Sequence, residues 1–242
     1  MPLRYAIVSD IHSNLEALEA VLDALRGERI DRYLSTGDVV GYGADPEICV
    51  EKMRALDPVI VAGNHDWAVA GRLDLEFFNA YARDAIVWTR ERLGPDATEW
   101  LGSLPLTRKF GEITLVHATL NGPENFDYLL TAYDAHLSLE ILDTPVCFVG
   151  HSHVPVTFAQ NGSVTFSFAS EFALDEVAKA IVNAGSVGQP RDGNPEASFG
   201  IYDTETRVVE VRRVSYDIAT ATKKILAAGL PAVLAERLWL GK

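Results

Sequence analysis

The sequence predicts an α/β fold, and two observations lead to that prediction. In the first third of the chain, short apolar runs alternate with amphipathic helical patterns, which is typical of a βαβαβ unit with parallel strands. After about residue 104, β-branched runs return at close spacing, as expected for a second sheet packed on the first. A length of 242 residues with 48% hydrophobic residues allows one domain, spanning 1–242, with a sizeable core.

The individual elements follow from local patterns. The first helix is well marked, because leucines recur along one face and Ser13 with Glu16 forms a capping box. Residues 67–104 are helical and aromatic in character and predict a helical insertion beside the sheet. Two helices over about 217–240 end the chain, and Pro231 is expected in the first turn of the second. Strands are predicted at 5–8, 33–36, 59–62, 113–116, 146–149, 164–168, 181–183, 199–202 and 208–211.

Composition excludes several classes of function. The formal net charge is -13, from 21 basic and 34 acidic residues, which disfavours nucleic acid or an anionic membrane as a partner because both depend on basic surface. No signal-peptide pattern opens the sequence and no apolar stretch approaches about 20 residues, so we expect a cytoplasmic protein. Cys49 and Cys147 lie far apart without a C-x-x-C spacing, which predicts neither a disulfide framework nor a thiolate zinc site. Cys147 falls in an apolar run and is expected in the core.

Five predicted strands end in side chains that can bind metal ions. Because ligands of parallel α/β sheets lie beyond the carboxyl ends of the strands, we expect these five ends to form one site. Mixed imidazole, amide and carboxylate donors suit Mn, Fe, Zn, Co or Ni, and His136 alone among the histidines lies outside, in an expected surface or structural position. The number of donors exceeds the needs of one tetrahedral ion and favours two ions that share a carboxylate. The seven candidate ligands are Asp10, His12, Asp38, Asn64, His117, His151 and His153.

Glycines adjoin the candidate ligands, at positions where sharp turns or close backbone approach would aim them. Taken in order, the motifs resemble those of the calcineurin-like metallophosphoesterases, and of their bacterial phosphodiesterase-like branch in particular. The resemblance covers about the first 190 residues, apart from the helical insertion. It implies a four-layer αββα sandwich of two packed mixed sheets flanked by helices. The matching motifs are Asp10-x-His12, Gly37-Asp38-x-x-Gly41, Gly63-Asn64-His65-Asp66, His117 and Gly150-His151-x-His153.

The resemblance also implies a role for each residue. Two divalent ions, Mn²⁺ or Fe, Zn, Ni or Co in one or both sites, would hold a bridging hydroxide as the nucleophile and neutralise phosphate charge. His65 would bind the phosphate or protonate the leaving oxygen, with Asp66 orienting its ring. Asp38 would bridge the two ions. One ion would be held by Asp10, His12, Asp38 and His153, and the other by Asp38, Asn64, His117 and His151.

The motifs favour a phosphodiesterase that acts on a small, nucleotide-like or other diester. After Gly37-Asp38 the chain continues with two valines, where the phosphoprotein phosphatase branch has an Asp-Arg-Gly whose arginine binds phosphate. The third motif ends in Asp66, where that branch has glutamate. A phosphomonoesterase, including a phosphoprotein phosphatase, is the alternative, because the same metal pair cleaves both linkages. A non-catalytic scaffold, as in the retromer subunit that keeps this fold, is disfavoured because the ligand set and His65 are intact.

Further features border the predicted site. The segment 183–188 resembles the N-x-G-S-V segment of phosphodiesterase-like members and is expected to present backbone N–H groups to an anion. Arg191 is a candidate substrate ligand together with Asn64 and His65, with a solvated loop position as the alternative. We expect the aromatic residues of the insertion to pack in the core, with stacking on a nucleobase as the alternative. The loop 121–125 is expected to be an ordinary connection or, alternatively, a pocket border, and the oligomeric state is left open.

Overall fold

Two six-stranded sheets make up the centre of the fold in the computed structural model, which describes residues 2–242. The strands are β1 Arg4–Val8, β2 Arg32–Ser35, β3 Val59–Ile60, β4 Thr107–Phe110, β5 Ile113–Val116, β6 Val146–Val149, β7 Val156–Asn161, β8 Ser163–Ser167, β9 Glu171–Ala173, β10 Lys179–Asn183, β11 Ala197–Asp203 and β12 Val208–Val214. The α-helices are α1 Leu15–Leu25, α2 Pro46–Leu56, α3 Asn64–Val69, α4 Ala80–Arg90, α5 Pro95–Ser103, α6 Ala132–Ile141, α7 Ile218–Ala227 and α8 Ala232–Leu240.

Both sheets are mixed, and this arrangement confirms the predicted fold class. The first sheet has the order β3-β2-β1-β11-β12-β9, and the second has the order β4-β5-β6-β10-β7-β8. Strands β1, β2 and β3 are parallel, as are β5, β6 and β10, whereas β11 and β7 pair with them antiparallel. Within each sheet, the parallel strands direct their carboxyl ends to one edge, and the candidate ligands follow there.

Three apolar clusters hold the layers together. Between the sheets, Ile7 and Leu34 of the first sheet pack in one cluster with Phe148 and Val182 of the second, and all four are fully buried. Helices α1, α2, α7 and α8 cover the outer face of the first sheet, and α6 covers that of the second. Because burying such a side chain stabilises the fold by about 1.5–3 kcal/mol, the sheets provide a rigid platform for the loops at their edge.

The helical segments lie close to where the sequence places them. The segment 67–104, expected to be a helical insertion, contains the second half of α3 and all of α4 and α5, while α7 and α8 end the chain. Pro231 caps α8 from the position before its first turn. Cys147 is buried against α6, and His136 is exposed on α6 beside Glu140. Within residues 2–242, no helix has both the length and the apolar character needed to cross a membrane.

Several strands differ from the sequence prediction. Strand β4 was not predicted, because it lies at a sheet edge with Arg108 and Lys109 exposed and therefore lacks an apolar run. Strand β9 is also absent from the prediction, because it has only three residues. Strand β7 is absent as well, although it pairs with β8 on one side and β10 on the other. Strands β11 and β12 return to the first sheet, where β11 pairs with β1. Strands β9 and β11 depend on partners distant in sequence, whereas β4 and β7 each form a hairpin with the next strand.

The predicted capping box at the start of α1 is wrong. Asn14 is the N-cap, and its side-chain oxygen accepts from the Ala17 N–H at 3.1 Å. Ser13 has a φ of 54°, and its N–H donates to Val39 O at 3.0 Å. The helix begins later than the pattern indicates, because Ser13 belongs to the loop that pairs with the segment after β2.

Candidate metal centre and substrate cleft

The loops after β1, β2, β3, β5 and β6 bring the seven candidate ligands together. Five of these ligands have φ between 50° and 65°, a backbone conformation that is uncommon outside glycine and persists only where the surroundings enforce it. The loops enforce it by pairing with one another, since the N–H groups of Asp10 and His12 donate to the carbonyls of Gly37 and Asp38, both at 3.0 Å. The five ligands are Asp10, His12, Asp38, His151 and His153.

Asp10, His12 and His153 form one set of ligands, which we call the inner group. His153 Nε2 lies 3.2 Å from Asp10 Oδ1 and 3.1 Å from His12 Nε2. His12 Nε2 lies 3.9 Å from the same carboxylate oxygen. All three side chains are buried, and one ligand atom from each lies within 4.8 Å of the others, which is close enough to hold one ion.

Asn64, His117 and His151 form a second set, which we call the outer group. His117 Nε2 lies 3.2 Å from Asn64 Oδ1 and 3.2 Å from His151 Nδ1. Asp38 lies between the two groups, with Oδ2 at 3.3 Å from His117 Nε2 and 3.6 Å from His12 Nε2. Its other oxygen, Oδ1, is held by the backbone N–H of residue 65 at 2.9 Å. A single carboxylate oxygen therefore faces both groups.

Hydrogen bonds on the far side of three histidine rings define which nitrogen faces the centre. The Nδ1 atoms of His12, His117 and His153 lie 3.1, 2.7 and 2.6 Å from backbone carbonyl oxygens. A carbonyl only accepts, so each Nδ1 carries a proton, and in the neutral form of each ring Nε2 presents a lone pair to the centre. The carbonyls are those of Val40, Thr36 and Gln189.

The converging lone pairs fit a cation. His12 Nε2 and His153 Nε2 face each other at 3.1 Å without a hydrogen between them, and the oxygens of Asp10 and Asp38 add negative charge. Buried acceptors that meet in this way repel unless a positive charge lies among them. The donor set of the described residues therefore suits divalent metal ions.

The pKa values within the centre follow from burial and from these charges. Burial favours the neutral form of Asp38, but the nearby His117 and His65 outweigh it and hold the pKa of the carboxyl well below its usual range. Burial lowers the pKa of His151 to about 3. For His117, burial also favours the neutral ring, yet the charges of Asp38 and Asp10 raise its pKa to about 9. A bound cation would displace that proton, because a coordinating imidazole is neutral.

His65 is buried beside the inner group and lines the cleft described below. Its ring meets that of His12 edge to face, with centroids 4.9 Å apart, and its ligand atom lies within 4.8 Å of those of His12 and Asp38. Nδ1 has no hydrogen-bond partner among residues 2–242. A side chain at Gly41, where φ is 104°, would come within 2.5 Å of this nitrogen. Burial lowers the pKa of His65 to about 4, so the ring is mainly neutral near pH 7 and retains one N–H donor.

Asp66 has a different role from the one expected. Its carboxylate accepts hydrogen bonds from the N–H groups of Asp38 at 2.8 Å, Val39 at 2.9 Å, Gly63 at 3.1 Å and Val40 at 3.3 Å. These contacts correct the expectation that Asp66 orients the ring of the preceding histidine, since both oxygens are occupied by backbone groups. Burial and then the charge of Asp38 raise the pKa of Asp66 to about 7. Asp66 is a positioning residue that ties the loop after β3 to the loop after β2.

The segment 183–188 holds two of the ligand loops in place through hydrogen bonds. The Asn183 side chain donates to Gly150 O at 2.7 Å, directly before the last histidine motif. The N–H groups of Val187 and Gly188 donate to carbonyls of the loop after β1, both at 2.9 Å. The prediction that this segment presents its N–H groups to an anion is wrong for these two groups, because they are already paired inside the protein.

Arg191 lies half-buried beside the centre. Its guanidinium carbon is 5.7 Å from the ring centroid of Tyr42, and Nη2 donates to Gln189 Oε1 at 2.9 Å. After burial, the charge of Arg191 is the largest influence that lowers the pKa of His153. The side chain is therefore the cation next to the inner group, within electrostatic reach of a bound anion.

A cleft of about 480 Å³ opens on the outer group. Its wall on one side comes from the helical insertion and on the other side from the loop after β5, so part of the predicted connection 121–125 does border the pocket. Phe78 is buried and its ring lies 5.2 Å from that of His65, whereas Phe77 is 74% exposed. The lining residues are Tyr42, Asn64, His65, Leu73, Phe77, Phe78, Asn79, Ala82, Glu124, Asn125, Phe126, Asp127, Tyr128 and His151.

Sequence reasoning missed two aromatic residues of this site. The Tyr42 ring packs 4.6 Å from the His12 ring and 4.4 Å from the His65 ring, with a backbone φ of 53°. Its place between Gly41 and Gly43, directly after the second motif, is the signal that the sequence offers. Tyr128 stacks on His151 with centroids 4.2 Å apart and an interplanar angle of 27°. No local pattern marks Tyr128, because only the tertiary fold brings its loop to the last histidine motif.

Comparison with known proteins agrees with this geometry. Residues 3–207 match the calcineurin-like phosphoesterase superfamily domain. The chain therefore belongs to the calcineurin-like phosphoesterase superfamily, whose members are metal-dependent, and it is a phosphoric ester hydrolase.

Three relatives define its place within the superfamily. The uncharacterized protein MJ0912 of Methanocaldococcus jannaschii is 41% identical over 243 residues, which is 98% of each chain. The crystal structure of a metallophosphoesterase from Sphaerobacter thermophilus superposes with a TM-score of 0.90 at 40% identity, over 100% of both chains. Phosphodiesterase YfcE of Escherichia coli is 27% identical over 210 residues, which is 84% of this chain and 89% of YfcE.

Proposed function

We propose that the protein is a phosphodiesterase that uses two divalent metal ions. The position of Asp38 Oδ2 carries this proposal, because one oxygen lies 3.6 Å from His12 Nε2 and 3.3 Å from His117 Nε2. An oxygen placed in this way can contact one ion in each group. The inner ion would be bound by Asp10, His12, Asp38 and His153, and the outer ion by Asp38, Asn64, His117 and His151.

The donor chemistry favours Mn²⁺, Fe, Zn, Ni or Co in these sites. Divalent ions there would activate water for attack on phosphorus and neutralise charge on the phosphate oxygens. The chain contributes by fixing the rings: each Nδ1–H bond to a backbone carbonyl holds an imidazole in one orientation and makes its Nε2 a stronger donor. The buried Asp66 carboxylate keeps the loop of Asp38 in place through its four backbone hydrogen bonds.

His65 and Arg191 would act on the substrate directly. His65 lines the cleft, and its neutral ring can donate an N–H hydrogen bond to the leaving ester oxygen as negative charge develops there. In its protonated form the ring would transfer a proton to that oxygen, and general acid assistance of this kind contributes about 10²- to 10⁴-fold in rate. Arg191 lies beside the inner group and would bind a phosphate oxygen together with Asn64. No covalent intermediate is required, because none of these groups needs to act as a nucleophile.

Three features favour diesters over monoesters. The relative YfcE is a phosphodiesterase. The residues after Asp38 are the buried Val39 and Val40, so that position offers no arginine for a doubly charged phosphate. The cleft beside the outer group also gives room for the second ester substituent that a diester carries.

Turnover of bis(p-nitrophenyl) phosphate and p-nitrophenyl phosphate tests the proposal. With Mn²⁺ added and metal content measured on the same sample, we expect a higher kcat/KM for the diester and two ions per chain. A strong preference for the monoester would favour a phosphomonoesterase or phosphoprotein phosphatase instead. Failure to hydrolyse either ester with any of the five metals would favour a non-catalytic scaffold.

A further inference from the structure

We infer that the cleft binds a planar aromatic group with N–H donors, the chemistry of a nucleobase, on the leaving-group side of a single phosphodiester, and that it rejects further phosphates. The inference rests on the proposed phosphodiesterase function and names the substrate class of that site. Both parts of it come from the lining of the cleft, which combines exposed aromatic rings with carboxylates.

The position of the cleft assigns it to the leaving group. Asn64, His65 and His151 line its floor, so an ester on the outer group extends directly into it. His65 is the side chain proposed to assist the leaving oxygen, and it lines this cleft although it packs beside the inner group. The group attached to that oxygen therefore occupies the cleft.

Two aromatic rings in the cleft are available for stacking. Tyr128 places one face against His151 and leaves half of its surface exposed. Phe77, on the opposite wall, is 74% exposed although its neighbour Phe78 is buried. Aromatic side chains stack on any nucleobase through its π-face, so two exposed rings that line the same cleft offer stacking surfaces for one.

The loop that carries Tyr128 is held in place before a ligand binds. Phe126 is buried and its ring packs edge to face against Trp67, with centroids 6.0 Å apart, and against His117 at 5.9 Å. After Tyr128 the chain is anchored again, since the Leu130 N–H donates to Asp134 Oδ2 at 3.1 Å. A ring that is already positioned loses little conformational freedom on binding.

The negative charges that line the cleft disfavour an aromatic ligand that carries further phosphate groups. Glu124 and Asp127 line it and are exposed, and none of its lining residues within 2–242 is lysine or arginine. Carboxylates accept hydrogen bonds from ring or exocyclic N–H groups, but they repel phosphates. A nucleoside therefore fits this arm of the site, whereas a polyphosphate chain does not.

Calorimetric titration of the Mn²⁺-loaded protein with adenosine 5′-monophosphate tests the aromatic part. Phe77→Ala and Tyr128→Ala should each weaken binding at least about fivefold, since base stacking on an aromatic side chain has an effect of this size. Tyr128→Phe should bind as the wild type does, because it keeps the ring. Phe168→Ala is the matched control, because that side chain is 67% exposed outside the cleft.

Inorganic phosphate is the second probe, since it reports on the metal centre alone and should bind to all these variants equally. Unchanged adenosine 5′-monophosphate affinity in both alanine variants would overturn the inference. An equal loss of phosphate affinity would overturn it as well, because the rings would then act only through the metal centre.

Adenosine 5′-diphosphate tests the acidic part. The wild type should bind it more weakly than the monophosphate, and Glu124→Gln with Asp127→Asn should reduce that difference severalfold. Glu140→Gln with Asp143→Asn, two exposed carboxylates outside the cleft, should leave the difference unchanged. A wild type that binds the diphosphate as tightly as the monophosphate would overturn the rejection of further phosphates.

The failure of this inference is distinguishable from that of the proposed function. Wild-type turnover of bis(p-nitrophenyl) phosphate reports on the function, and the variant affinities report on the cleft. A wild type that hydrolyses the diester while Phe77→Ala and Tyr128→Ala bind adenosine 5′-monophosphate normally would reject the nucleobase site alone. A wild type that hydrolyses no ester would reject the phosphodiesterase, and with it the leaving-group assignment.

Discussion

The inner and outer ligand groups differ in their access to solvent. Asp10, His12 and His153 of the inner group are at most 2% exposed. In the outer group His117 is equally buried at 1%, but His151 is 8% exposed and Asn64 is half-buried, and both line the cleft. The inner group is enclosed by loops that pair with one another, and the outer group meets the space where a substrate enters. Under the proposed two-ion function, we expect the inner group to retain its ion and the outer group to contact the ester.

The inner group also carries more negative charge than the outer group. Asp10 adds a carboxylate to the inner group, and it accepts from Ser9 Oγ, which in turn accepts from Thr36 Oγ1 at 2.5 Å. The outer group contributes only the neutral amide of Asn64 beside its imidazoles. Because carboxylates bind divalent cations more strongly than neutral amides do, we expect the inner ion to be held more tightly.

Replacing the shared ligand should have the largest effect. Asp38→Asn removes the negative charge that faces both groups, so we expect loss of both ions and a fall of diester turnover to the background rate. Elemental analysis of the purified variant, alongside kcat for bis(p-nitrophenyl) phosphate, measures this. The exposed Asp143→Asn is the control. Retention of two tightly bound ions would show that Asp38 does not bridge the groups.

Removing His65 should separate catalysis from metal binding. His65→Ala leaves both ligand groups intact, so we expect turnover to fall by about 10²- to 10⁴-fold while the metal content stays near that of the wild type. The loss should be smaller for diesters with a good leaving group such as p-nitrophenol than for alkyl diesters, because a good leaving group needs less assistance. Parallel loss of an ion would contradict the proposed role and make His65 a ligand.

Substitutions that each affect one ligand group should have the smallest effects on metal binding. They also test most directly whether the two groups bind separate ions. Ser9→Ala removes the hydroxyl that supports Asp10, and we expect about 10-fold weaker binding of the inner ion, as for other residues that hold a ligand in place. Asn64→Ala should instead weaken the outer ion. Competition with a chelator, followed in both variants and in a Ser167→Ala control, measures each affinity. Equal weakening of both ions in either variant would contradict the division into two groups.

The candidate ligands could be predicted because they belong to the local pattern of the chain. Each follows an apolar run that becomes a parallel strand, and the strand ends within each sheet lie together. The packing of the two sheets then brings the ends of β1, β2 and β3 next to those of β5 and β6. Roles that depend on side-chain direction were harder to predict. Asp66 follows His65 in the sequence, yet its carboxylate turns to the backbone of the loop after β2. Asn183 lies in a glycine-rich segment, yet it holds the loop of the last histidine motif.

Periodicity and residue type were enough to predict an α/β fold and the seven strand-end donors, while the resemblance of the motifs to a known family implied the four-layer sandwich and the role of each residue. The packing of the chain was needed to place Asp38 Oδ2 between both groups, to enclose Asp10, His12 and His153, and to bring Phe77 and Tyr128 into the lining of one cleft. These features depend on contacts between segments distant in sequence, which no local pattern encodes. The strand pattern places a donor at the edge of a sheet, but the loops packed around that donor set its orientation and its exposure.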